Sequence, residues 1–355
     1  MTRTRPLKLG IVDQSPVPNG RTASEAVQET LELARLTERL GYSRYWLAEH
    51  HSTNSFAGSA PEVLIPRVAS VTEHIRVGSG GVMLPHYSPY KVAEQFRMLQ
   101  TLFPSRIDLG LGRAPAGTGQ AAAALRYGRQ AIPVEHFPTQ LEDLMGWMGE
   151  SLTDDHPLAR VRATPRGTDL PELWMLGSGG STVDVAARLG LGYSFAQFIS
   201  GVDGAEAVRS YRERFRPSAA FAEPHTNLGI GVLCADTNEE AERLSLSLHL
   251  WRMRIMRRVD RGIPSPEQAE EELGEWGVSS EALIRDETRV IVGDPEGVRD
   301  KLRALADHYG VDEIMTVTVT HDFQARRRSY ELLAEVMELA GVGADAAEAA
   351  RPGSS

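Results

Sequence analysis

The feature that most constrains this chain is one unit repeated along nearly its whole length: a short apolar run of strand character, then a segment whose apolar residues recur at helical spacing. Leu7, Leu9 and Ile11 alternate as a strand does. Thr22 with Glu25 three residues on forms a capping box ahead of Ala23, Val27, Leu31 and Ala34, and Gly41 is placed to end that helix. Further strand-like runs at Tyr45 to Ala48, Ile75 to Met83, Ile107 to Leu111, Leu173 to Leu176, Gly192 to Gln197, Leu228 to Val232 and Ile314 to Val319 bring the count to eight. Between them, helices are expected from Pro61, from Ser88-Pro89, and over Glu135 to Glu150, Ser181 to Leu189 and Val202 to Phe215. Strands alternating with helices pair in parallel through right-handed crossovers, and eight of them predict a closed (β/α)8 TIM barrel rather than an open sheet.

At 355 residues the chain exceeds the roughly 250 of an ordinary barrel. The excess falls between the seventh and eighth expected strands, where Leu244 to Val259 and Pro264 to Trp276 read as extra helices joined at Gly262 and Pro264. This helical insertion, about 244–285, is read as a cover over the barrel mouth in preference to surface decoration. A single domain is expected over 1–340, followed by a small, polar, disordered tail over 341–355.

Composition narrows the function. No run of about 18 apolar residues exists, so no membrane span is expected, and the basic Met1 to Lys8 segment lacks the apolar stretch of a cleaved secretion signal. A net charge of -10 disfavours nucleic acid and anionic lipid as partners. Arg326-Arg327-Arg328 and Arg257-Arg258 have acidic neighbours and read as solvated faces. The lone Cys234 excludes an internal disulfide, fits a reducing cytoplasm, and reads as core filler on a strand.

On a barrel, catalytic groups belong at the C-terminal strand ends and in the loops that follow. Four clusters fall there. Glu49, His50 and His51 close the second strand; adjacent strand residues face opposite sides, so the two imidazoles do not easily share an ion, and no metal site is expected. One structural and one functional histidine is the reading that remains. Gly80-Gly81 near the end of the third strand is either a bulge or a wall on which a flat ring can lie. Arg113, after the fourth strand, is either a surface ion pair or a forked donor to phosphate. The turn Gly177-Ser178-Gly179-Gly180-Ser181 is either a tight connection or, with the first amides of the following helix pointing outward, a phosphate cradle that Arg113 would complete.

Together and in this order, these clusters resemble the bacterial luciferase-like, flavin-dependent monooxygenase superfamily, and within it the non-luminescent branch. The likeness runs from about Leu7 to Met337 and rests on Ser15-Pro16-Val17, Ala48-Glu49-His50-His51, Val82-Met83-Leu84-Pro85-His86 and Arg106-Ile107-Asp108-Leu109-Gly110-Leu111-Gly112-Arg113. The resemblance implies reduced FMN and O2 at the C-terminal face, oxygenating a small organic substrate through a flavin hydroperoxide. It puts His50 in the place of the catalytic histidine and matches Gly80-Gly81 to the family's non-proline cis peptide bond beside the ring. Arg113, Ser178, Gly179, Gly180 and Ser181 would hold the FMN phosphate, and Asp13, His86, Tyr87 and Phe195 would line the substrate pocket. The pKa of an ordinary imidazole, about 6.5, would let His50 serve as hydrogen-bond partner or proton donor near neutrality.

Luciferase has a reactive cysteine where this chain has Gly112, and its aromatic pocket lining is not reproduced, so light emission from a long-chain aldehyde is disfavoured. No Gly-x-Gly-x-x-Gly fingerprint follows the first strand, which implies a separate NAD(P)H:flavin reductase as partner. Helix surfaces such as Ala60 to Val71 are candidates for a homodimer face. The rival readings are a deazaflavin-dependent hydride-transfer oxidoreductase of the same superfamily, whose longer acidic tail would call for more basic residues at the mouth, and a non-catalytic flavin-binding or storage protein.

Overall fold

The computed structural model describes residues 6–113, 119–127, 134–149 and 152–341. These described residues form nine strands, β1 (Lys8–Asp13), β2 (Arg44–Leu47), β3 (Arg76–Met83), β4 (Ile107–Gly112), β5 (Glu172–Gly177), β6 (Gly192–Ala196), β7 (Thr226–Cys234), β8 (Val290–Gly293) and β9 (Glu313–Val317). All pair in parallel, β1 to β7 in sequence, then β7 with β9 and β9 back to β1, so eight strands close a barrel with helices around it. This is the expected (β/α)8 architecture. The ninth strand, β8, stands outside the ring: it pairs with Gly231 to Cys234 of β7, beyond the Thr226 to Gly229 stretch that pairs with β6.

Local chemistry sets the helix starts. The capping box at Thr22 and Glu25 is formed, Ser88 caps the helix Pro89–Leu102, and Gly41 takes φ 88, a left-handed conformation that glycine reaches without steric cost. Four expected boundaries move. The first insertion helix is Asn238–Met256, begun by Thr237 rather than at Leu244, and the helix expected from Val202 is Ala205–Arg214. The segment expected from Ser181 opens as a 3-10 turn, Gly180–Thr182, before the helix Val183–Leu189. The helix expected over Glu135 to Glu150 spans Phe137–Met148; Glu150, and the expected tail from 342 onward, lie outside the described residues.

β8 and the helix after it, Pro295–Tyr309, are additions to the sequence reading. A run as short as Val290-Ile291-Val292 carries little period-2 signal, but Asp294-Pro295 is a start signal, and the Asp294 carboxylate accepts from the Gly297 N–H at 2.8 Å.

Strand alternation divides the core. Leu9, Ile11, Tyr45, Leu47, Leu173, Met175, Tyr193 and Phe195 pack outward against the helices, while Val12, Trp46, Ala48, Trp174, Met315 and Val317 fill the barrel interior. At the N-terminal end, Arg44 bridges Asp108 at 2.8 Å, Glu172 at 2.8 Å and Glu313 at 2.9 Å, Arg76 bonds the second oxygen of Asp108 at 2.6 Å, and Trp46 donates its indole N–H to Asp108 at 2.8 Å. The barrel is thus closed below by a saturated ion network.

Two charge readings are corrected or placed. Arg326 is buried rather than solvated: it donates to the Asp13 carboxylate at 2.6 Å and to the Thr318 carbonyl at 2.9 Å, while Arg327 is half-buried and pairs with Glu32, and Arg328 faces solvent and pairs with Asp236. Cys234 is buried on β7, where burial above all pushes its thiol up to about 12 and leaves it an inert packing group. No described helix is long and apolar enough to cross a membrane.

Candidate functional site

A cleft of about 280 Å³ opens at the C-terminal end of the barrel. Gly80 and Gly81 from β3, Arg113 after β4, and Ser178, Gly179 and Ser181 after β5 all line it, so three of the four sequence clusters converge on one space. Gly180 belongs to the same turn. The floor is Val12 and Trp46, the far wall Ser194, Ala196 and Phe198.

The wall at β3 is glycine for reasons of space. The Gly80-Gly81 peptide bond is cis, as the resemblance implied, and the β3–β4 register shifts between Gly80 and Val82. A Cβ on Gly81 would stand 2.6 Å from the Gly110 carbonyl oxygen and 2.6 Å from Leu176, and one on Gly80 would stand 2.9 Å from Trp46. Ser79 braces this stretch by donating to the Gly110 carbonyl at 2.9 Å and accepting from the Gly110 N–H at 3.0 Å. The result is a backbone wall with no side chain to hold off a planar group. At Gly112, where luciferase has cysteine, a Cβ would stand 2.9 Å from the Met83 sulfur, so Met83 occupies the room of the missing side chain.

The β5 turn differs. Neither Gly179 nor Gly180 has positive φ, and among the described residues no atom lies within 4 Å of a Cβ built on either. Packing therefore does not demand glycine there; what the missing side chains leave is room at the rim. The turn is anchored by Tyr193, whose hydroxyl donates to the Gly179 carbonyl at 3.3 Å. Arg113 is exposed beside it and makes no hydrogen bond or ion pair with any described residue. An unpaired guanidinium facing an open turn suits a doubly acceptor anion such as a phosphate monoester.

His50 stands apart from the cleft lining. Its ring packs on Phe56 at 4.6 Å between centroids, Phe56 packs on Trp251 at 5.0 Å, and its buried Nδ1 has no partner among the described residues. Burial, then the neighbouring His51, push its pKa down to about 4. The expectation of a group poised between two protonation states is thereby corrected: His50 is a neutral imidazole near pH 7. His51 is the bonded one, with Nε2 2.8 Å from Glu49 Oε1; the buried Glu49 carboxylate also accepts from the Tyr87 hydroxyl at 2.9 Å and from the Met83 N–H at 3.0 Å.

The four residues expected to line the substrate pocket are not among those that line this cleft. Asp13 and Phe195 fall on the outward phase of β1 and β6, while their neighbours Val12, Ser194 and Ala196 line the cleft. The Asp13 oxygens are spent on the Ser15 N–H, Arg326, Thr30 and Tyr45 at 2.6–2.7 Å; burial works to raise its pKa, but the Arg326 charge and these hydrogen bonds outweigh it and hold the carboxyl low. His86 and Tyr87 lie outside the cleft, in the Glu49 and His51 cluster: Tyr87 is bonded to Glu49, and His86, buried with an unpartnered Nδ1, is held below its usual pKa by burial first and then by Arg126. Alternation read from the strand ends was the signal for Ser194 and Ala196; Phe198 and Trp251 lie on helices, where no sequence signal pointed.

The insertion is fastened to the loops that follow the first two strands. Val17 and Asn19 exchange backbone hydrogen bonds with Ile263 at 2.8 Å, and the Asp260 carboxylate accepts from the Thr53 hydroxyl at 2.9 Å and from the Asn54 backbone and side-chain N–H groups. Arg254, buried, is held by Glu272 at 2.5 Å and ties the first two insertion helices together. The loops after β1 and β2 are stapled to the insertion, which fixes its position against them.

The chain belongs to the luciferase-like monooxygenase family, whose model matches residues 7–313. It is 36% identical over 333 residues to a luciferase-like monooxygenase of Escherichia coli (strain K12), covering 94% of this chain and 97% of the relative. It is 37% identical over 334 residues to the N-acetyl-S-alkylcysteine monooxygenase of Bacillus subtilis (strain 168), covering 93% of this chain and 98% of that protein. The crystal structure of apo-MsnO8 superimposes with a TM-score of 0.84 at 40% identity, covering 94% of this chain and 98% of that one. These relatives make the chain an oxidoreductase of monooxygenase type.

Proposed function

We propose that the protein is a flavin-dependent monooxygenase that uses reduced FMN and O2 to oxygenate a small organic substrate. The observation that carries this is the convergence of Gly80, Gly81, Arg113, Ser178, Gly179 and Ser181 on one cleft. The residues fit the group: a side-chain-free wall beside Trp46 suits a tricyclic ring, and the open turn with its unpaired guanidinium suits a phosphate monoester. When bound, reduced FMN would supply the electrons that activate O2.

The chain's own residues do the rest. Arg113, Ser178 and Ser181 fix the phosphate end, with Gly179 and Gly180 leaving it room; Gly80 and Gly81 let the ring approach; Val12, Trp46 and Leu176 keep the floor apolar, which disfavours water at the reacting end. His50, neutral, acts by hydrogen bonding from or to its free Nδ1 rather than as an imidazolium acid. Glu49 positions the Met83 amide and His51 beside it. Asp13, His86, Tyr87 and Phe195 are not part of this reading.

A separate NAD(P)H:flavin reductase, a cytoplasmic location and a homodimer through the Pro61–Ala69 helix, whose Val63 is 69% exposed, complete the proposal. Aerobic turnover with reduced FMN against a panel of small metabolites, read by product mass, tests it: a gain of one oxygen atom is expected. Turnover with a reduced deazaflavin and without O2 would replace it by hydride transfer, and FMN binding without oxygen incorporation on any substrate would leave a flavin carrier. His50→Ala is expected to keep FMN affinity and lose about a hundredfold in product formation, at the lower end of what positioned proton or hydrogen-bond partners contribute; unchanged turnover removes His50 from the mechanism.

A further inference from the structure

The helix Asn238–Met256 brings a second guanidinium against the backbone of the cleft wall, and nothing in the reading above uses it. Arg252 is half-buried, and its one hydrogen bond to a described residue runs 3.4 Å to the carbonyl of Phe198, a residue of the cleft wall. It forms no ion pair with any described residue. Bracing the short Gln197–Ser200 helix does not account for it, because Arg289 already donates to the Ile199 and Ser200 carbonyls at 3.2 and 2.8 Å. Burial first, then the Arg289 charge, push the Arg252 pKa down to about 10, which leaves it a cation at neutral pH. Asp286, the carboxylate that Arg252 feels, is engaged by the Thr288 hydroxyl at 2.6 Å and its N–H at 3.1 Å. A cation removed from water with no carboxylate bonded to it is unfavourable, so an anion is expected to complete it.

Three residues back on the same helix face, His249 is buried with an Nε2 that has no partner among the described residues. Burial, then the Arg252 charge, hold its pKa at about 4, so it is a neutral imidazole able to donate a hydrogen bond. Beside the pair, Phe198 and Ile199 give the cleft an apolar wall, Ile199 being 60% exposed.

We infer that Arg252, with His249 beside it, forms a receptor for the carboxylate of an acidic substrate whose apolar part lies along Phe198 and Ile199. This rests on the monooxygenase reading for its link to turnover. It is separate from the phosphate-type rim, since Arg113 and the Ser178 to Ser181 turn follow β4 and β5, whereas Arg252 reaches the loop after β6 from the insertion.

Calorimetric titration of the full chain with hexanoate and with hexanamide, each with and without saturating FMN, tests the inference without knowledge of the natural substrate. Hexanoate is expected to bind about tenfold more tightly than the amide, as a charge-assisted contact requires, and to bind equally well with FMN present. Arg252→Gln is expected to bring hexanoate down to the amide's level, Arg252→Lys to keep part of the preference, and both to keep wild-type FMN affinity. Equal binding of acid and amide to the wild type, or undiminished hexanoate binding in Arg252→Gln, would overturn the inference and leave Arg252 as a brace for the short helix. Displacement of hexanoate by FMN, or by a deazaflavin with an acidic tail, would overturn it too, by assigning the anion to the cofactor. A protein that prefers the acid as expected yet binds no FMN would keep the inference and remove the flavin reading.

Discussion

The two ends of the barrel handle charge in opposite ways. At the N-terminal end a cluster of charges is mutually paired: Arg44 lies among Asp108, Glu172 and Glu313, and Arg76 takes the remaining oxygen of Asp108. At the C-terminal end Arg113 has no partner among the described residues, Arg252 has one long bond to a carbonyl, and the buried His50 Nδ1 and His249 Nε2 have none. The same strands carry both patterns. A saturated network has nothing left to give to a ligand, whereas groups left without a protein partner at the other end keep their bonding capacity.

The sharpest way to break this comparison is to remove the lower centre. Arg44→Met would leave Asp108, Glu172 and Glu313 facing one another with only Arg76 nearby, and is expected to cost about 3–5 kcal/mol in urea unfolding, the scale for stripping one partner from a buried ion pair. A loss below about 1 kcal/mol would mean that the network is not what closes the barrel.

The upper end predicts the opposite dependence, on pH. His50 and His249 have folded pKa values near 4, below the 6.5 of an unfolded histidine. The unfolded chain therefore binds more protons between these values, so the stability both residues contribute is complete above about pH 6.5 and is lost as pH falls toward 4. The loss is on the order of 2 kcal/mol for each at pH 5. His50→Ala should flatten its share of the decline between pH 8 and pH 5 in denaturant titrations; an unchanged slope would show that His50 is hydrated in the folded state.

Arg113→Ala, by contrast, should leave stability within about 0.5 kcal/mol of wild type, because the residue is exposed and unpaired. FMN affinity should fall about tenfold to a hundredfold, the range for one charge-assisted contact to phosphate, as read by fluorescence titration. Tyr87→Phe is the smallest change: it removes the hydroxyl donated to Glu49, which keeps His51 and the Met83 N–H as partners, and should cost about 1 kcal/mol in unfolding without altering FMN affinity.

Much of the site was legible because glycine, cationic and histidine side chains at strand ends are rare enough to stand out, and the barrel fixes where strand ends go. Gly80-Gly81, Arg113 and the turn after β5 met in one cleft for that reason. Asp13 and Phe195 failed on phase: the correct strands were found, but each residue sits one position from the inward one, and a single step along a strand reverses the face. Arg326 failed because charge in a run of three arginines signals solvent, while its burial depends on Asp13, far away in the chain. Arg252 and His249 gave no signal at all, since what distinguishes them is the lack of a partner, and that is a property of the packed neighbourhood.

By itself, the amino-acid sequence determined the eight-fold alternation, the closed parallel barrel, the barrel end where the glycine and arginine clusters meet and the family motifs, because periodicity, caps and glycines act over a few residues. Only the tertiary structure decided which histidine is satisfied by Glu49 and which is left neutral and free, which face each strand turns inward, and that the insertion is fastened to the loops after β1 and β2. Those outcomes depend on burial and on partners distant in sequence, and a pKa or an unpaired donor exists only once the chain has packed around it.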